Sequence, residues 1–226
     1  MFILVNFILA CSLAFAQLLP EPRGHYNSGA IKFSWELPFE GEGYVRLFVE
    51  RNRGWGTQPM IEMIEKSAAE IHQLFPAKDR LQVGDISSKR GGRISRHSSH
   101  QNGLDVDLAF YRLNGVEQPT NYRGGFLGSM VRRGRLSRNF DIVRNWELIK
   151  ALHRFGKVSR IFVDKVIKKE ICRHAEYLGE KDAFQDVLRS LRPYPNHTDH
   201  LHVRIECPEN ALKCRNQRIP DGVVGC

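Results

Sequence analysis

Two short runs, "GLDVDLAFY" (103–111) and "HLHVRIEC" (200–207), constrain this chain more than any other part of it. Both alternate as β-strands do, and side chains at i and i+2 leave a strand on the same face. His200 and His202 therefore project together, about 7 Å apart at the backbone, and so do Asp105 and Asp107. Each aspartate interrupts an apolar run, where a half-buried carboxylate needs a partner or a metal. Of the chain's nine histidines, five sit at these two places: His97 and His100 ahead of the first run, and His197, His200 and His202 around the second.

An H-x-H on a strand, taken alone, is more often incidental than metal-binding. The first segment changes that reading. His100 lies in a loop and the aspartates lie on the following strand, so one imidazole and one carboxylate combine with one histidine of the H-x-H. That gives the three protein ligands of a hydrolytic zinc site, with the fourth position left to water. Strand geometry does not choose between Asp105 and Asp107. Ser98 and Ser99 lack the Gly-x-Ser-x-Gly surroundings of a nucleophile and read as loop hydrogen-bonding residues.

The first 16 of the 226 residues carry no charge, are too short to span a bilayer, and end in Ala14-Phe15-Ala16. We read 1–16 as an export signal, with the mature chain starting at Gln17, although its leading part lacks Lys or Arg. A lipoprotein anchor at Cys11 is the alternative, for which Leu9 is a poor fit. Export leaves four cysteines, Cys172, Cys207, Cys214 and Cys226, all near the C-terminus. An even number in an exported chain points to two disulfides, and no C-x2-C pair supports a four-cysteine zinc site. The net charge of +9 favours an anionic partner, and export points to a wall polymer rather than nucleic acid.

No repeat, low-complexity block or long linker divides 17–226, which reads as a single domain. Residues 17–35 read as a surface wrap. "QPMIEMIEKSAAEIHQLF" places Met60, Ile61, Ile64, Ala68, Ile71 and Phe75 on one helical face, with Pro76 as a stop. "DIVRNWELIKALHRFG" and "KVIKKEICRHAEYLG" are further helices, and "RLQVGDI" and "VSRIFVD" further strands. The Gly-rich, basic stretch between about 112 and 140 reads as a flap, with Arg123, Arg132, Arg133 and Arg135 as a cationic rim. Without a regular β-α-β rhythm the class is α+β, with a mainly antiparallel sheet flanked by helices.

"SHQNGLDVDLAFY" and "HTDHLHVRIEC" resemble the two signature segments of the penicillin-insensitive murein endopeptidases, which belong with the lysostaphin-like and D-Ala-D-Ala metallopeptidases. "VGDISSKRGGR", "RIFVD" and "CPENALKCRNQRIPDGVVGC" also have counterparts in that family. The resemblance implies zinc on His100, Asp107 and His202, with His200 catalytic beside it. It makes His197 a further active-site histidine, a candidate partner for the oxyanion, and gives His97 a place nearby. Asp105 is left as an accessory residue. It pairs Cys207 with Cys214 and Cys172 with Cys226. It further implies one zinc ion, since no aspartate–histidine pair for a second appears in the flap and Asp141 is unassigned. The implied activity is hydrolysis of D-amino-acid-containing cross-links of peptidoglycan in the periplasm, by a chain with no integral membrane span. A D,D-carboxypeptidase, or a wall-binding module that keeps zinc without turnover, are the rival readings.

Overall fold

The computed structural model describes residues 19–218 and 225–226; the segment read as an export signal lies outside the described residues. The chain opens with a hairpin, β1 (Glu21–His25) and β2 (Ser28–Lys32), then β3 (Trp35–Glu36), β4 (Glu40–Gly41), β5 (Tyr44–Arg46) and β6 (Trp55–Gly56). Helix α1 (Gln58–Leu74) leads to β7 (Leu81–Val83) and β8 (Asp105–Ala109), and the flap carries a small hairpin of β9 (Val131–Arg132) and β10 (Arg135–Leu136). Helix α2 (Ile142–Phe155), β11 (Val158–Val163), α3 (Lys165–Tyr177), α4 (Gln185–Ser190), β12 (Leu191–Pro193) and β13 (His200–Ile205) complete it.

Seven strands form the central sheet in the order β12-β11-β13-β8-β7-β5-β4. The expectation of a mainly antiparallel sheet needs correction, because the sheet is mixed: β11 and β12 run parallel, as do β5 and β7. Parallel neighbours require a crossover, and helices supply both: α1 between β5 and β7, α3 and α4 between β11 and β12. The strands that make this so, β5 and β12, are three residues each, too short to show a period.

One face of the sheet is apolar. Val106, Leu108, Ile161, Val163, Leu201 and Val203 join one buried cluster with Met60, Met63, Ile64 and Ile71 of α1, Trp146 and Leu152 of α2, and Ile167 and Ile171 of α3. Thr57 caps α1 by accepting from the Met60 amide, with Pro59 in the first turn. Phe75, expected on that face, is the C-terminal cap and packs half-buried against the same cluster. Asp141, left unassigned from the sequence, caps α2 through the Arg144 amide and also receives the Arg144 guanidinium. Gly156 closes α2 in an extended conformation, and a Cβ there would meet the buried Met63 sulfur at 2.3 Å.

Residues 19–35 are more than a wrap. The β1–β2 hairpin turns at Tyr26-Asn27 and docks on the C-terminal segment, where the Gly24 amide donates to Lys213 and Arg215 donates back to Gly24. Two disulfides tie that segment down, Cys207–Cys214 and Cys172–Cys226, the pairing that the family resemblance implies. No helix among the described residues is long and apolar enough to cross a membrane.

Candidate metal centre

The opposite face of the sheet carries the polar residues. β8 and β13 pair antiparallel with His202 opposite Asp107 and Arg204 opposite Asp105, and Phe162 of β11 lies opposite His202 on the other side. Alternation thus brings Asp105, Asp107, His200, His202, Arg204 and Phe162 to one surface. His100 enters from the preceding loop, in the left-handed region at φ 63°, with its amide donating to Asp105 Oδ2.

Three atoms converge there. His100 Nε2 lies 3.3 Å from Asp107 Oδ1, His202 Nδ1 lies 3.2 Å from the same oxygen, and the two nitrogens are 3.3 Å apart. The hydrogen bonds behind the rings fix what these atoms are. His100 Nδ1 is 2.8 Å from the Ile86 carbonyl, which can only accept, so in the neutral ring Nδ1 holds the proton and Nε2 presents a lone pair. His202 Nε2 is 2.8 Å from Asp105 Oδ1, so Nε2 donates and Nδ1 presents the lone pair. Asp107 Oδ1 is buried without a hydrogen-bond donor. With both rings neutral, three acceptors face one another, an arrangement that a shared positive charge, a metal ion or a proton, would stabilise.

The spacing also suits an ion. Ligands at 2.0–2.1 Å from a tetrahedral centre stand about 3.3–3.4 Å apart. His97, His100 and Asp107 each offer a ligand atom within 4.8 Å of the others as well. However, His97 Nε2 is engaged by Asp85 Oδ2 at 3.1 Å, and its Nδ1 faces the outer oxygen, Asp107 Oδ2, at 3.7 Å. The tighter set is therefore His100, Asp107 and His202.

The surroundings favour cations. Burial pushes against ionisation of Asp107, yet the neighbouring His100 and His200 hold its carboxyl well below the ordinary range. Burial likewise opposes Asp105, and the Arg204 guanidinium, 2.6 Å away, overrides it. His202 is pushed up despite burial by its contacts with Asp105 and Asp107. Asp85 is held down against burial by His97, Arg51 and Arg53, all of which reach its Oδ2.

Beside the triangle, His200 Nε2 is 3.7 Å from Asp107 Oδ1 and its Nδ1 is 2.6 Å from Asp199 Oδ1. The Phe126 ring stacks on it at 4.8 Å, brought there by the flap. His197 packs 5.0 Å from His200, ring to ring, and burial, with His200 next to it, lowers its pKa to about 4. Its Nδ1 meets the Pro195 carbonyl at 2.8 Å, so the neutral ring offers a lone pair at Nε2. Both rings line an open cleft of about 410 Å³ with His97, Tyr26, Phe162 and Tyr194.

All seven histidine and aspartate residues singled out from the sequence meet here. Sequence reasoning missed Asp199, Asp85, Phe126, Phe162, Tyr26 and Arg204. Asp199 directly precedes His200, and Asp85 ends a strand-like run as an acid, which are usable signals. Phe126 and Tyr26 arrive from loops and carry none.

A family model described as penicillin-insensitive murein endopeptidase matches residues 22–226. A penicillin-insensitive murein endopeptidase of Haemophilus influenzae is 32% identical over 210 residues, covering 91% of this chain and 70% of that protein. Its namesake in Pectobacterium atrosepticum is 32% identical over 212 residues, covering 92% and 72%, and that of Escherichia coli K12 is 30% identical over 211, covering 90% and 72%. The likeness takes in the hairpin, the flap, both site strands and the disulfide-tied tail, and on it the chain belongs to the penicillin-insensitive murein endopeptidase family.

Proposed function

We propose that this chain, as a single domain over 17–226 exported to the periplasm, is a zinc-dependent endopeptidase that hydrolyses D-amino-acid-containing cross-links of peptidoglycan. The observation that carries the reading is the triangle of His100 Nε2, Asp107 Oδ1 and His202 Nδ1, whose spacing and donor set suit one zinc ion. When bound, the ion supplies Lewis acidity and lowers the pKa of a coordinated water.

The remaining work falls to the chain's own groups. Asp199 holds the Nδ1 proton of His200, which aims Nε2 at the reacting region as the proton acceptor and later the donor to the leaving amine. Phe126 fixes the plane of that ring. An oxyanion contact from His197 would need a donor. In the tautomer set by Pro195 it accepts instead, so we assign it a hydrogen bond from a substrate N–H. No serine nucleophile is needed, so penicillins have nothing to acylate.

The test is metal analysis of the purified chain beside chromatography of digested sacculi, with and without a chelator. One equivalent of zinc and chelator-sensitive release of uncross-linked muropeptides are expected. Full digestion by metal-free protein would overturn the proposal. His200→Ala should keep its zinc and lose at least a hundredfold in turnover.

A further inference from the structure

Next to the cleft, and sharing Arg96 with it, lies a second cavity of about 350 Å³ walled by Glu50, Arg51, Arg53, Ser95, Arg96 and Arg123. Four guanidinium groups meet two carboxylates. Arg51 and Arg53 both donate to Asp85 Oδ2, at 3.1 and 3.0 Å, and His97 shares that oxygen. Glu50 approaches only Arg123, at 3.7 Å, and Arg96 makes no ion pair among the described residues. Positive charge is therefore in surplus on the open side. Arg132, Arg133 and Arg135, expected in the same rim, line neither cavity.

The backbone is shaped for this. Phe48 and Asn52, which bracket the 3₁₀ turn Val49–Arg51, and Arg96 are three of the seven non-glycine residues with positive φ among the described residues. Strain of this kind gathers where a site must be held in one geometry. The turn brings Arg51 and Arg53 onto one carboxylate, which orients their forks in advance.

The pocket is also wired to the reacting centre. Arg51 lies 3.8 Å above the Phe48 ring, Phe48 meets Phe126 at 5.4 Å, and Phe126 stacks on His200. By the other route, only Asp85 and His97 separate it from Asp107. A group in the pocket is thus separated from the triangle by two side chains, a gap that a few extended residues can span.

We infer that the pocket is a carboxylate-binding subsite. It takes a free carboxylate that the substrate peptide carries a few residues from the scissile bond, with Arg96 and Arg123 closing on it as forked donors. The inference rests on the hydrolytic reading above for the identity of the peptide. Its test does not require turnover. A cross-linked stem-peptide dimer, N-methylated at the scissile amide to block cleavage, is prepared with free carboxylates and as carboxamides, and each is titrated calorimetrically into the full chain.

The acid form should bind at least tenfold more tightly, by a margin that shrinks with salt. In R96Q/R123Q, whose two altered side chains are exposed, the ratio should fall close to one. Equal binding of acid and amide by the unaltered chain would overturn the subsite, as would a ratio that survives in R96Q/R123Q. The same dimers without the methyl group report separately on the reaction. If neither is cut while the acid–amide gap stands, the hydrolytic reading falls and the subsite remains.

Discussion

Asp105 shows how much of this site is decided one bond away from the proposed ligands. Its Oδ1 accepts from His202 and from Arg204, and its Oδ2 accepts from the His100 amide, so it orients two of the three proposed ligands without being one. Such outer partners typically contribute ten- to a hundredfold in metal affinity. Asp105→Asn should lower zinc affinity by about that factor in competition with a chromophoric chelator, with the helical signal of the fold retained. The sequence offered Asp105 and Asp107 as equivalents because alternation places both on one face. Only the register, with Asp107 opposite His202, separates them. A second residue-scale outcome lies away from the site. His153, on α2 against Ser190, has its pKa lowered to about 4 by burial. The unfolded chain, titrating near 6.5, then binds more protons than the folded one between about pH 4 and 6.5. This histidine costs nothing above pH 6.5, and stability is lost as pH falls through that interval, on the order of 3 kcal/mol in all. Urea midpoints at pH 7 and 4.5 should draw closer together in His153→Gln.

Among the elements, period and alternation decided what was legible; three-residue β7 was read within "RLQVGDI", whereas β1 and β2, as long as β8, were not. Helices α1, α2 and α3 and strands β8, β11 and β13 show period or alternation over five residues or more. The β1–β2 hairpin is hidden in "EPRGHYNSGAIK", where glycines break the alternation, yet it matters to the site. Its Tyr26 ring lies 3.7 Å from the Arg204 guanidinium and pins the partner of Asp105. Gly29 is required there, because a Cβ would meet the backbone oxygens of His25 and Arg23 at 2.4 and 2.6 Å. Gly29→Ala should therefore open the hairpin, at a cost of about 1–3 kcal/mol. It should also raise hydrogen exchange at Tyr26 and weaken zinc binding, whereas a merely decorative hairpin would leave the metal affinity unmoved.

Over the whole molecule, the site joins segments that local sequence patterns cannot connect: the two facing imidazoles are 102 positions apart. Residue types and alternation pointed to the ligands, while Phe126, Arg51 and Arg53 reach the centre only through packing of flap and turn. The tail is held by a disulfide spanning 54 residues, Cys172 to Cys226. Closing a loop of that length contributes about 4 kcal/mol through the unfolded chain. Cys172→Ala/Cys226→Ala should lower the melting temperature by several degrees, and by less if Cys207–Cys214, which spans only 7, is removed instead.

A ring of lone pairs turned inward cannot stand idle near neutral pH. If the site holds a metal as proposed, the raised basicity of His202 sets a proton in competition with it, so loading would exchange H⁺ for metal. Metal occupancy should consequently gain up to tenfold per pH unit below the point where that imidazole titrates and level off above it, so that acid would empty the proposed site.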